Sequence, residues 1–158
     1  MIATLLPGRI AEAGESEFNS RVAEGAVAFG QALMQGTTKG KQVKAWASAG
    51  SGVVFEGIAM MTMAGDVDNN RYNDHQSVSA LISGKPAVKV SSSSATVAPG
   101  DRVAIYADGH FGKGPLTPAT NGVYGANLLN AVWKSDAVAG AAGVIQIIGP
   151  TSYTVVQL

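Results

Sequence analysis

No cysteine occurs among the 158 residues of the chain. Disulfide staples, thiolate nucleophiles and thiolate metal sites are excluded together, so stability has to come from packing or assembly. Charge is also scarce: Asp, Glu, Lys and Arg make up 14% of the sequence, against about 25% in ordinary soluble domains. Eleven basic residues balance eleven acidic ones, which leaves no net positive field to draw in nucleic acid. The ten aromatics are not interleaved with Lys and Arg, as single-strand and RNA readers require. No direct nucleic-acid contact is therefore expected. Long apolar runs are missing too: none approaches the roughly eighteen residues that a bilayer-crossing helix needs. Met1 to Pro7 carries no basic stretch ahead of its apolar residues. The expectation is a protein made in the cytoplasm, with no membrane role.

What the chain does contain is strand and turn. Ser77 to Gly109 spells out three short strands: Val78, Ala80 and Ile82, then Val88 and Val90 after Gly84-Lys85-Pro86, then Val103 and Ile105 after Ala98-Pro99-Gly100-Asp101. A period of two interrupted by Gly and Pro is the signature of antiparallel sheet. Gly, Ala, Ser and Val are abundant, and a surface this poor in charge is one that another protein can cover. The length suits one domain with its own core.

Met1 to Ser20 has no sustained period and reads as an extended N-terminal arm, with residues 21–158 as a single β domain. Strands are expected at Ala26 to Met34, with Gly30 a bulge, and at Val43 to Ala47. A turn is expected at Ala49-Gly50-Ser51-Gly52. Val53 to Met63 is apolar on both parities, the pattern of a strand covered on two sides, and is the candidate for the sheet centre. Gly65 to Asp74 is the most polar stretch and reads as a surface loop. Gly109 to Gly125, with its many glycines and two prolines, reads as a long irregular connection. Asn127 to Lys134 fits one helical face as well as a twisted strand. Val144 to Ile148 and Tyr153 to Val156 read as a closing hairpin turned at Gly149-Pro150-Thr151-Ser152. The whole is an all-β fold of roughly seven to nine strands, a small antiparallel barrel or jelly-roll-like sandwich.

Motifs that could carry chemistry fail on inspection. Asp66, Asp68 and Asn70 stand at the first three alternate positions of a calcium loop, but Arg71 replaces the turn glycine and Ser77 the closing carboxylate. The stretch reads instead as a solvated or partner-facing loop of Asp66, Asp68, Asn70 and Arg71. His75 and His110 share neither helical nor hairpin spacing that would pair them on a metal. Ser51 lacks the glycine two positions earlier that a nucleophile elbow needs. Gly36 to Lys41 is a residue short of a phosphate loop, and Gln42 stands where Ser or Thr would hold magnesium. Gly109 to Gly114 has no following helix to receive an anion. Neither catalytic residues nor a cofactor or metal is expected. Met60, Met61 and Met63 read as core filler or as a flexible patch at a subunit contact.

The order of several segments resembles the structural cement, or capsid decoration, proteins of tailed bacteriophages. The likeness is carried by Val22 to Gly30, Phe55 to Ala59, Tyr72 to Val78, Gly84 to Val90, Ala98 to Val103 and Val144 to Ile147, over about residues 20–158. The resemblance implies a small β-barrel or jelly-roll-like protein that performs no reaction. It would sit on the outside of the head and bridge neighbouring major capsid subunits against DNA pressure. It implies a symmetric homo-oligomer, a dimer before a trimer, made in the host cytoplasm and ending in the virion. On this reading the arm makes the capsid contact through Ile2, Leu5, Leu6 and Ile10, or the edge strand Tyr153 to Leu158 adds to a capsid sheet. The alternative is a virion-surface module that binds carbohydrate or a receptor through the Gly109 to Gly125 loop, where Phe111 and Tyr124 are the aromatics.

Overall fold

The computed structural model describes residues 5–47, 52–119, 122–149 and 152–158. In chain order the strands are β1 (Glu17–Ala23), β2 (Val27–Ala28), β3 (Ala32–Gln35), β4 (Gln42–Ala45), β5 (Phe55–Met60), β6 (Arg71–Tyr72) and β7 (Ser77–Ser83). They continue with β8 (Ala87–Lys89), β9 (Arg102–Ile105), β10 (Phe111–Gly114), β11 (Tyr124–Trp133), β12 (Ala142–Ile147) and β13 (Tyr153–Gln157). The described residues hold no helix, and the fold is all-β.

Five strands close a barrel in the order β1-β4-β3-β5-β7. Four of its five contacts are antiparallel; the closing one, β1 with β4, is parallel. A second sheet runs β10-β9-β11-β12-β8, with β13 on β11, and a short ribbon pairs β2 with β6. The outer ends of the second sheet meet again where Val90 bridges Phe111 in parallel and the Ser91 N–H donates to the Phe111 carbonyl at 2.7 Å.

Side-chain alternation explains how the two sheets join. On β3, Leu33 points into the barrel with Val27, Phe29, Val43 and Tyr72, while Ala32 and Met34 face a second cluster with Ile105, Phe111 and Trp133. On β5, Ala59 joins the barrel interior, and Phe55, Ile58 and Met60 join the other cluster. Strands β3, β5 and β7 thus have two buried faces, which is why Val53 to Met63 is apolar on both parities. The expected central strand is β5, seated between β3 and β7.

Several expectations change. Thirteen strands occur among the described residues, more than the seven to nine read from turn spacing, because short two- to four-residue pieces add to the long ones. Ala26 to Met34 splits into β2 and β3: at Gly30 the chain takes φ 78° and turns into the barrel, with the Gly30 N–H on the Ala59 carbonyl at 2.6 Å. Gly109 to Gly125 is not irregular throughout, since β10 lies in it and β11 begins before it ends. Asn127 to Lys134 falls largely inside β11, a ten-residue strand, because paired strands on both edges decide what periodicity left open. The polar Gly65 to Asp74 stretch contains β6, and Tyr72 on it is wholly buried. The turn expected at Ala49 to Gly52 lies mostly outside the described residues.

The expected closing hairpin does not form. β12 and β13 both run antiparallel to β11, against Ala131–Trp133 and Tyr124–Leu128 respectively. They are consecutive stretches along one edge of β11. Asn130 clamps the end of the first to the start of the second: its Nδ2 donates to the Ile148 carbonyl at 2.7 Å, and its Oδ1 accepts the Ser152 N–H at 3.1 Å.

The predicted arm reaches into the fold. Its last residues, from Glu17, belong to β1. Gly8 donates from its N–H to the Ala87 carbonyl at 2.8 Å and accepts the Met61 N–H at 2.7 Å, so this short stretch ties the barrel to the second sheet. The Ala11 N–H reaches the Lys85 carbonyl at 2.9 Å, and Lys85 Nζ pairs with Glu12 at 2.8 Å.

Candidate functional site

Among the described residues, the two histidines and the acidic side chains do not converge. His75 is exposed, takes φ 66°, and sets Nδ1 3.0 Å from the Asp74 carboxylate beside it. His110 lies elsewhere, half-buried on the turn before β10, where burial lowers its pKa, Asp108 raises it and Lys89 lowers it. Among the described residues no three His, Asp or Glu side chains are placed to share a metal ion.

The polar loop spends its groups on itself. Asp66 accepts the Asn69 N–H at 3.2 Å, Asn69 Nδ2 at 2.8 Å and Asn73 Nδ2 at 3.3 Å, and these bonds, the Asn69 amide foremost, hold its pKa below the usual carboxylate range. Its backbone pairs with Arg71 in both directions, at 2.7 and 3.1 Å, while Arg71 Nε donates to Asn73 at 3.0 Å. Asn70 makes the tight turn with φ 53°. The result is a small rigid hairpin that carries Tyr72 into the barrel, edge-on to Phe29 at 5.1 Å between ring centres. Asp68 is the loop carboxylate left exposed without a partner.

Surface apolar side chains are the more informative set. Of the arm residues singled out from sequence, Leu6 and Ile10 are exposed, Leu5 is half-buried, and Ile2 lies outside the described residues. The structure brings Ile10 beside Phe18 of β1 and Met61, lining a groove of about 490 Å³ with Gly8, Arg9 and Thr62. A second hollow of about 410 Å³ adjoins it across Phe18. Phe18 is 45% exposed and Met63, just past β5, is 91% exposed, both extreme for their type. The three methionines therefore divide: Met60 packs in the core, Met61 walls the groove and Met63 stands in solvent.

Sequence reasoning missed Phe18 because it was read as part of an aperiodic arm. The usable signal was the alternation of Phe18, Ser20 and Val22 on one parity. A second pair of exposed apolar side chains, Leu129 at 63% and Ile148 at 65% exposure, lies in segments to which the sequence pattern assigns no outward face.

Of the two aromatics in the Gly109 to Gly125 loop, Tyr124 is half-buried at the start of β11. Phe111 is wholly buried between the two sheets, so it offers no ring face to a sugar.

Comparison with known proteins adds the missing context. Residues 1–148 match the family described as Structural cement protein (E217 gp24/Pam3 gp6). No curated protein matches the chain. Among solved structures, a chain of "The capsid of Myoviridae Phage XM1" superposes with a TM-score of 0.73 at 14% identity, covering 94% of this chain and 93% of that one. At that identity the likeness shows the fold, an all-β architecture shared nearly end to end. Because the family match spans nearly the whole sequence, the chain belongs to the structural cement proteins of phages.

Proposed function

We propose that this protein binds the outside of the phage head and cements neighbouring major capsid subunits, holding the shell against the pressure of packaged DNA. The carrying observation, beside the family, is the groove where the arm meets the barrel. Ile10 and Phe18 are presented there outside both core clusters, beside Met61, which packs against the barrel core and walls the groove. Cementing needs apolar area that becomes buried on contact, repeated many times around a shell, rather than one strong site.

On this reading Ile2, Leu5, Leu6 and Ile10 are the arm's anchors, and Phe18 and Met63 extend the contact surface. The partners are the major capsid protein and a second copy of the chain, a dimer being favoured over a trimer. Neither cofactor, nucleic acid nor membrane takes part, and no bond is made or broken. The protein is made in the host cytoplasm and resides on the virion exterior.

The test is to mix purified protein with heads that lack it, then measure copies bound per head and survival on heating. Saturable occupancy with a raised temperature of head disruption is expected. Absence of binding overturns the reading. Mass measurement in solution decides between dimer and trimer.

A further inference from the structure

The second sheet covers only part of the barrel's outer surface. β3, β5 and β7 send Met34, Ile58 and Leu81 into the cluster between the sheets, whereas among the described residues β1 contributes nothing to it. Phe18, Ser20 and Val22 are exposed along β1, alternating with the more buried Asn19, Arg21 and Ala23. Ser79 and Ser77 of β7 stand opposite Ser20 and Val22 in register. The hollow of about 410 Å³ beside Phe18 is cut into this face, and its lining holds no charged side chain. A strand face free of charge with a half-exposed aromatic ring on it has the composition of an interface centre.

Charge stands at the two ends of this strip and differs in sign. At one end the exposed Glu15 and Glu17 lead into Phe18, with Arg9 across the arm groove. At the other the Val22 N–H donates to the Lys41 carbonyl at 2.9 Å, which sets the exposed Lys41 beside Val22, with Lys39 two residues before it. The acidic groups at that end are already engaged. Glu24 accepts the Thr37 N–H at 2.6 Å and its hydroxyl at 2.8 Å, and Asp74 accepts the Gly25 N–H at 2.8 Å and lies 3.0 Å from His75. Among the described residues neither Glu17 nor Lys41 belongs to an ion pair.

We propose that a second copy of this chain covers this face, the two β1 strands running antiparallel about a two-fold axis that passes by Ser20. A two-fold sets each surface against its own image turned end for end, and a strip that is negative at one end and positive at the other is complementary to that image. With Ser20 at the centre, Phe18 and its hollow receive Val22 of the second copy, and Glu17 meets Lys41 of the second copy, at both ends of the contact. Ser20, Ser77 and Ser79 keep the middle flat enough for close approach. The end charges fix the direction, because parallel strands would set Glu17 on Glu17 and Lys41 on Lys41. This inference rests on the reading above, in which the chain pairs with itself, and names the face. The arm groove on the other side of Phe18 stays open to the capsid.

The experiment uses the full chain in the absence of heads, with mass followed by sedimentation over a concentration series. Each variant is first shown to melt at the wild-type temperature. The wild type is expected to be a dimer. Glu17→Lys and Lys41→Glu, each placing like charges at both ends, are expected to raise the dissociation constant about tenfold. An equal mixture of the two variants is expected to recover wild-type affinity, since both ends of the mixed dimer again hold one Lys and one Glu. Because the chain has no cysteine of its own, Ser20→Cys gives a second readout. Oxidised glutathione is expected to join two such chains, the thiols forming a disulfide across the axis as glutathione is reduced. Ser92→Cys, on an exposed turn, is expected to stay unjoined. A wild-type monomer or trimer, charge reversals that leave the dissociation constant unchanged, or Ser20→Cys chains that do not join each overturn the proposal. Whether heads are bound is decided separately by the occupancy measurement, so the cementing reading stands or falls on its own.

Discussion

Gly8 and Gly30 stand back to back. A β-carbon on Gly8 would lie 2.9 Å from the Gly30 nitrogen, and one on Gly30 would lie 2.8 Å from the Gly8 nitrogen and 2.5 Å from the β-carbon of Pro7. Both take positive φ, 84° and 78°. This contact lets the arm lie flat on the barrel and pass from Met61 to Ala87.

Gly30→Ala should therefore destabilise the protein by about 1–3 kcal/mol, through backbone strain and the clash with Pro7. Gly100→Ala is the matched control, since Gly100 also takes positive φ, 90°, but has open space around it. Thermal melting of the two variants separates strain from contact: a larger drop for Gly30→Ala is expected, and equal drops would mean that the arm yields freely.

Removing residues 1–6 should leave the fold intact, because among the described residues the arm's bonds to the two sheets begin at Gly8. Melting should stay near the wild-type temperature while occupancy on heads falls several-fold, as expected when apolar contact residues are lost. Unchanged occupancy would remove Ile2, Leu5 and Leu6 from the contact.

Tyr72→Phe tests the barrel interior. The hydroxyl bonds to the Met60 carbonyl, to Thr62 Oγ1 at 3.0 Å and to the Ser79 N–H at 3.4 Å, all within the fold. The ring contact with Phe29 survives the substitution, so the expected loss of about 1–3 kcal/mol in denaturant unfolding reports the unsatisfied partners alone.

His110 makes stability sensitive to acid. Burial, first, and Lys89 lower its pKa in the folded chain, with Asp108 opposing them. The unfolded chain thus takes up a proton, near the ordinary histidine value of about 6.5, before the folded one does. Stability from this group is complete above that value and is lost as pH falls through the lowered folded pKa. His110→Gln should flatten the slope of melting temperature against pH in that window. An unchanged slope would assign the effect to other groups.

Asn130→Ala should loosen the tail locally. With the clamp on Ile148 and Ser152 gone, amides of β13 should exchange with solvent faster while those of the barrel strands keep their protection. Uniform acceleration through the molecule would instead mark a global loss of stability.

Much of the architecture was legible in local pattern. Ala98-Pro99-Gly100-Asp101 reads as a turn into β9, and the structure gives the mechanism: Asp101 accepts the Ala98 N–H at 2.9 Å and returns its own N–H to the Ala98 carbonyl at 3.1 Å. The two-sided apolarity of Val53 to Met63 identified β5 for the same physical reason that buries it. Asn127 to Lys134 was ambiguous because the register shift in β11 resets the alternation: Ala126 and Leu128 are buried before it, Ala131 and Trp133, on the other parity, after it. Asp66, Asp68, Asn70 and Arg71 were visible as a surface loop. Composition could not reveal that Asp66 and Arg71 bond within the loop and close the hairpin that carries Tyr72 into the barrel.

Sequence alone determined the strand class, several of the turns and the exclusion of thiol chemistry, because alternation, Gly and Pro positions and the missing cysteine act over a few residues at a time. Tertiary structure decided which strands close on which. The parallel seam of β1 and β4, the sharing of one β11 edge by β12 and β13, and the meeting of Ile10 with Phe18 and Met61 all join residues distant along the chain. Each depends on which apolar faces find cover in the folded protein and which are left over, and that is settled only by contacts between distant parts of the chain.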